Sequence, residues 1–254
     1  VYERIRDEIL PMICISTTAG TGSDVVRSTV VIDPATNRKI VIFSPYLMPK
    51  ADLLDPELTV TLPAPITAPP GFDALTHNLE ALCATGYHPL CDAVALEGVV
   101  LCHKYLERAV HTPDDLEARQ GMAVAAMMGA TAFQKGLGAA HSLAHPLSTF
   151  ASLHHGLANA IVLPYVVTFN AAHAAETYRK VQLALNLKTD VRTWLVDLRR
   201  DIGIPHTLGA AGVSDALVED MAAQAIEDGC HATNPRPCTV DDFRALYRAA
   251  FNGE

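Results

Sequence analysis

The chain changes character at Pro63, and that break limits its fold more than any other feature. Before it, short β-branched or apolar runs alternate with turn signals. Met12–Ser16 is a brief apolar run, Ser28–Ile32 (STVVI) leads into the turn-like DPATNRK, and Lys39–Phe43 (KIVIF) follows. SPYLMPKADLLDPEL, with three prolines, closes the region. Such strands need partners, and few others are visible. After the proline-rich PAPITAPPG the periodicity is helical. Asp73 opens one pattern (DALTHNLEALCATG) and a second covers Leu90–Val110. A third follows the Thr112-Pro113-Asp114 cap signal, with enough Ala and Gly for close packing in a buried position. Further helices are expected over about 173–201, 214–228 and 239–251. The predicted architecture is an α/β remnant over residues 1–62, followed by an all-α body over 63–254. The charged opening VYERIRDEIL runs at once into strand-like PMICIS, with no initiator Met, so the chain reads as starting within a fold.

Composition excludes several function classes. A formal charge of −9 with no basic stretch argues against nucleic acid as the partner. Six cysteines, none in a C-x-x-C pair, suggest reduced thiols in a cytoplasmic protein rather than a zinc knuckle or disulfide framework. No signal peptide is apparent. The apolar stretches break before bilayer-spanning length, so no membrane association is expected.

The histidines carry the chemistry. Of 11, four fall in an Ala-rich apolar stretch: His141, His145, His154 and His155. Burying several imidazoles without partners is costly. Asp73 and His77 are four residues apart and share a helix face, with Glu80 one further turn on; His141 and His145 repeat the spacing. His155 lies beyond Pro146 and a turn, so it approaches from another direction. A carboxylate and imidazoles from separate helices can hold a divalent metal with one position open. The site then keeps a net positive charge, which suits a Lewis acid. Each cluster alone also fits surface pairs, cap contacts or core histidines, and spacing leaves open whether the clusters meet. STTAGTGSD, residues 16–24, follows a strand and would let backbone approach a ligand, but it is neither G-x-G-x-x-G nor a P-loop and also fits an ordinary turn.

Taken in order, PMICISTTAGTGSDV, DPELTVTLP, GFDALTHNLEA, GAAHSLAHPL, HHGLANAIVLPYVVTFN and NPRPCTVDDFRALY resemble the iron-containing alcohol dehydrogenase family over nearly the whole chain. The resemblance implies a partial Rossmann-like dinucleotide-binding domain before a helical metal-binding domain, a dehydroquinate synthase-like architecture. It implies that Asp73, His77, His141 and His155 are metal ligands, with Fe²⁺ the usual metal and Zn²⁺ in some relatives. His145 matches a catalytic histidine beside nicotinamide and substrate, and His154 a neighbour of the last ligand. Thr17, Thr18, Ser28, Lys39 and Leu58 match positions lining NAD or NADP. The implied activity is hydride transfer between an alcohol or aldehyde and the nicotinamide, in a homo-oligomer, most simply a dimer.

Three departures from the family pattern stand out. The glycine-rich pyrophosphate turn is absent, so the chain is expected to be N-terminally truncated. Ala68-Pro69-Pro70 precedes Gly71, which would alter the approach to the Asp73 helix. Pro146-Leu147-Ser148-Thr149 replaces a common glycine pair and changes the expected loop. The competing readings are a glycerol dehydrogenase-like zinc enzyme of the same fold, a metal-binding fragment inactive by itself, and a scaffold with core histidines.

Overall fold

A computed structural model describes residues 5–6, 9–33 and 38–253. The first part holds two small sheets. β1 (Ile13–Ile15) pairs in parallel with β4 (Ala51–Leu53), matching Ile13 to Ala51 and Ile15 to Leu53. β2 (Ser28–Asp33) and β3 (Arg38–Phe43) form an antiparallel hairpin from Ser28↔Phe43 to Asp33↔Arg38. The strands expected from sequence are therefore present. β4 was not expected, because it lies in the proline-bearing stretch and its three residues make too short a run to show a period. Ile13, Ile15, Val30, Val31, Phe43 and Leu53 are exposed, so this part contributes little to the core.

Nine helices follow among the described residues. α1 (Ala64–Cys83) begins well before Asp73, and the expected start was wrong. Pro69 and Pro70 lie inside it, leaving the carbonyls of Pro65 and Ile66 without their i+4 donors. Tertiary contacts set the start instead. The Thr67 hydroxyl donates to the carbonyls of Leu62 and Pro63, and Arg119 from α3 reaches Thr67 Oγ1 at 2.9 Å and the Leu62 carbonyl at 3.0 Å. From Thr67 onward almost every α1 residue is buried. Burial, more than intrinsic propensity, holds such a helix.

α2 (Pro89–His111) and α3 (Leu116–Ala132) pack on α1. The small residues of α3 serve close packing, as expected: a Cβ on Gly129 would stand 2.8 Å from Asn78 Nδ2 and 2.9 Å from His77 Cβ. α4 (Ala139–Ala151) contains Pro146 and the residues after it, so these are helix and not a loop. The turn comes later, where Ser152 adopts φ 53°, and α5 (His155–Asn170) then packs across α1 and α4. The helix expected over 173–201 is two, α6 (Ala175–Ala184) and α7 (Val191–Asp201). Asn186 at φ 52° ends the first stretch, and the Asp190 carboxylate caps the second by accepting from Thr193 N–H. α8 (Val218–Ala225) and α9 (Val240–Asn252), the latter opened by a Thr239/Asp242 capping box, complete the body. No helix among the described residues is long and apolar enough to cross a membrane.

Candidate metal centre

Three helices meet where the histidine clusters were expected. α1 brings Asp73, His77 and Glu80, α4 brings His141 and His145, and α5 brings His155 at its start and Asn159 one turn on. Ligand-capable atoms of Asp73, His141 and His155 all lie within 4.8 Å of one another. Asp73 Oδ1 stands 3.9 Å from His141 Nε2 and 3.7 Å from His155 Nε2. Asn159 Nδ2 sits among them, donating to Asp73 Oδ1 at 2.7 Å and lying 3.3 Å from both imidazole Nε2 atoms. Its own Oδ1 is buried without a partner. An amide nitrogen has only two protons, so it cannot answer three acceptors at once.

The charges suit a cation. Burial would raise Asp73, but His77, His155 and His141, with the Asn159 amide, pull it down to about 2. Burial, reinforced by His77 and His155, keeps His141 well below the ordinary histidine value, so its ring is neutral and has a lone pair to offer. Burial pushes Glu80 up to about 7, against the backbone N–H groups of Ala140 and His141, which favour its ionised form.

His77 is next to this trio but not part of it. Its ring stacks on His141, with centroids 4.5 Å apart, and its Nδ1 is buried with no hydrogen-bond partner. A buried imidazole nitrogen without a hydrogen-bond partner has the chemistry of a metal donor. The trio of one carboxylate and two imidazoles, with the His77 imidazole adjoining, has the donor types of a borderline divalent ion such as Fe²⁺ or Zn²⁺.

His145 stacks on His155 at 5.3 Å and pairs through Nδ1 with Asp228 Oδ2 at 2.7 Å. Asp228 also accepts from Ser142 Oγ at 2.9 Å and from Cys230 N–H at 2.8 Å. Burial would raise its pKa; the His145 contact outweighs this and holds it well below the usual carboxylate range. Sequence reasoning missed both Asp228 and Asn159. Asp228 meets His145 across 83 residues and has no local signal. Asn159 lies in the quoted HHGLANA segment, but a search for ionisable groups passes over it. His154 is an exposed residue capping α5, outside the cluster.

The expected cofactor residues lie in the strand part. Thr17 and Thr18 are exposed after β1, Ser28 opens β2, and Leu58 is exposed in a short helical turn. Lys39 belongs to β3, and its side chain lies outside the described residues. The glycines of STTAGTGSD allow approach, but to helices: a Cβ on Gly20 would stand 2.7 Å from Pro70 Cβ, and one on Gly22, at φ 57°, 2.3 Å from Ala130 Cβ.

Fold and cluster define a class, that of helical proteins with a buried carboxylate–imidazole site suited to a divalent cation. The model of the Fe-containing alcohol dehydrogenase family, C-terminal, matches residues 67–251, and that of iron-containing alcohol dehydrogenase matches residues 2–56. The chain belongs to the iron-containing alcohol dehydrogenase family. It is 38% identical to a 4-hydroxybutyrate dehydrogenase of Cupriavidus necator, over 96% of this chain and 66% of that protein. It is 35% identical to an NAD-dependent methanol dehydrogenase of Bacillus methanolicus, over 97% and 68%. Among solved structures, a 1,3-propanediol oxidoreductase superposes with a TM-score of 0.93 at 32% identity, covering 97% of this chain and 68% of that one. A sulfoacetaldehyde reductase from Bifidobacterium kashiwanohense in complex with NAD⁺ gives 0.88 at 28%, covering 96% and 66%. The chain thus spans about two thirds of the length of these relatives.

Proposed function

We propose that this chain carries the metal-dependent catalytic centre of an alcohol dehydrogenase that moves a hydride between a small alcohol or aldehyde and NAD or NADP. The observation that carries this is the convergence of Asp73, His141 and His155 on one point, where a single amide nitrogen stands among three acceptors. Asp73, His141 and His155, with His77 as the fourth, would hold Fe²⁺ or Zn²⁺. When bound, the ion would supply Lewis acidity to an alcohol or carbonyl oxygen. Asp73 is held in its ionised form, and burial keeps His141 neutral. His145, held by Asp228, is the group that accepts or returns the hydroxyl proton, a task an imidazole can perform because either ring nitrogen can take or give a proton.

Residues 1–62 are assigned to dinucleotide binding, through Thr17, Thr18, Ser28, Lys39 and Leu58, and residues 63–254 to the metal centre. A bound nicotinamide would supply the hydride acceptor or donor. Support for NAD as the cofactor comes from the relatives, one named as NAD-dependent and one solved with NAD⁺. A homo-oligomer, most simply a dimer, is part of the same proposal.

The test is metal content after anaerobic purification, with NAD and NADP binding measured on the same sample. About one iron or zinc per chain, lost in His155→Ala, is expected. A chain that takes up neither metal would overturn the proposal. Metal without dinucleotide binding would remove the cofactor role from residues 1–62 and leave the metal centre standing.

A further inference from the structure

Glu80 is a buried carboxylate with no Lys or Arg partner among the described residues, and a group so placed needs another reason to be there. It lies seven residues after Asp73 on the same face of α1. Both its oxygens are engaged by the start of α4. Oε1 accepts from Ala140 N–H at 2.7 Å, while Oε2 lies 2.6 Å from His141 Nδ1 and accepts from His141 N–H at 3.4 Å. The backbone makes room for it: a Cβ on Gly138 would stand 2.6 Å from Glu80 Oε1. The opposite nitrogen of the same ring, Nε2, faces Asp73 and Asn159.

We propose that Glu80 is a positioning residue for the metal centre, accepting a hydrogen bond from His141 Nδ1–H and so fixing the tautomer whose Nε2 lone pair is free for the ion. A ring nitrogen can bind a cation only when its proton is on the other nitrogen, and the partner of that second nitrogen decides where the proton sits. The inference rests on the proposed role of His141 as a ligand. A carboxylate is needed because both contacts require an acceptor. An amide at this position satisfies one and opposes the other: with its oxygen on Ala140 N–H, its NH₂ faces Nδ1 and drives the proton to Nε2.

The experiment compares wild type, Glu80→Gln and Gly138→Ala as intact chains. Zinc affinity is measured by competition with a chromophoric chelator, and the tautomer of His141 by ¹⁵N NMR of metal-free protein. Wild type should carry the proton on Nδ1. Glu80→Gln should shift it to Nε2 and weaken zinc about 10- to 100-fold, the usual effect of removing such a partner. Gly138→Ala keeps the carboxylate but crowds it, and should weaken zinc in the same direction by a smaller factor; it carries the test if Glu80→Gln does not fold. A helix cap alone would change melting temperature without moving the tautomer. Unchanged zinc affinity and tautomer in both folded variants would overturn the proposal. If wild type bound no zinc, the metal reading would fail, while the tautomer comparison would still decide the role of Glu80.

Discussion

Gly98→Ala should destabilise the protein although alanine is the better helix former. Gly98 is in the middle of α2, facing the side chain of Asn78 on α1. An added Cβ would stand 1.9 Å from Asn78 Oδ1, 2.4 Å from Cγ and 2.7 Å from Nδ2, so the whole amide must move. That amide ties two helices, donating to the Ala74 carbonyl at 2.8 Å and the Ala125 carbonyl at 2.9 Å. Overpacking of this kind costs about 1–3 kcal/mol. Losing one or both hydrogen bonds adds roughly 1 kcal/mol each. The gain in helix propensity offsets about 1 kcal/mol. The net loss should be about 2–3 kcal/mol, which for a chain of this size lowers Tm by roughly 4–12 °C. The assay is urea and thermal unfolding of metal-free protein, with Asn78→Ala and the double variant completing a cycle. Removing the amide empties the space the new methyl needs, so the double variant should be little worse than Asn78→Ala alone, a coupling of about 2 kcal/mol. A Gly98→Ala protein as stable as wild type, or strictly additive losses, would show that the helices separate easily and that the close approach is not what fixes α1.

Three further outcomes follow from the same geometry. Asn159→Ala removes a buried donor from the Asp73 carboxylate and should cost about 1.5–3 kcal/mol in metal-free protein; denaturant midpoints equal to wild type would contradict this. His77→Ala should lower zinc affinity less than His155→Ala does, because His77 lies outside the converging trio; equal losses in a chelator titration would restore His77 to full standing. Asp228 is held below its ordinary pKa near 3.9, so its contribution is present above that value and is lost as pH falls through the lower folded one. Asp228→Asn should therefore be less stable than wild type at pH 5–7 and lose less on acidification toward pH 3; parallel stability curves for the two proteins would exclude the pairing with His145.

What could be read in the sequence was what is local. Asp73 with His77 and His141 with His145 each lie one helical turn apart, so shared faces followed from spacing alone. That the trio meets required α5 to fold back across α1, which spacing does not encode. The start of α1 was misjudged because the proline penalty is a property of isolated helices, and here Arg119 and Thr67 hold the first turns from outside. β4 was invisible because a three-residue strand has no measurable period, and its partner β1 lies 38 positions earlier in register. Asp228 and Asn159 were missed for opposite reasons. One is remote from its histidine in sequence, and the other carries no charge.

Several buried polar residues share α1, and their contacts explain how so buried a helix holds its position. Asp73, His77, Asn78 and Glu80 are all buried on α1. Each unanswered would cost stability, since a buried polar group without a partner loses its hydration for nothing. Three of the four are answered from three different helices: Asp73 by Asn159 of α5, Glu80 by the start of α4, and Asn78 by the Ala125 carbonyl of α3. Any shift of α1 along its axis would break all three sets together, so the polar contacts define one register where apolar packing alone would tolerate several. The answer is incomplete at two atoms, His77 Nδ1 and the Asn78 amide oxygen, which are buried without a hydrogen-bond partner. The ring of His77 nevertheless stacks on His141, so the same helix that fixes the register also sets the imidazole nearest the converging trio.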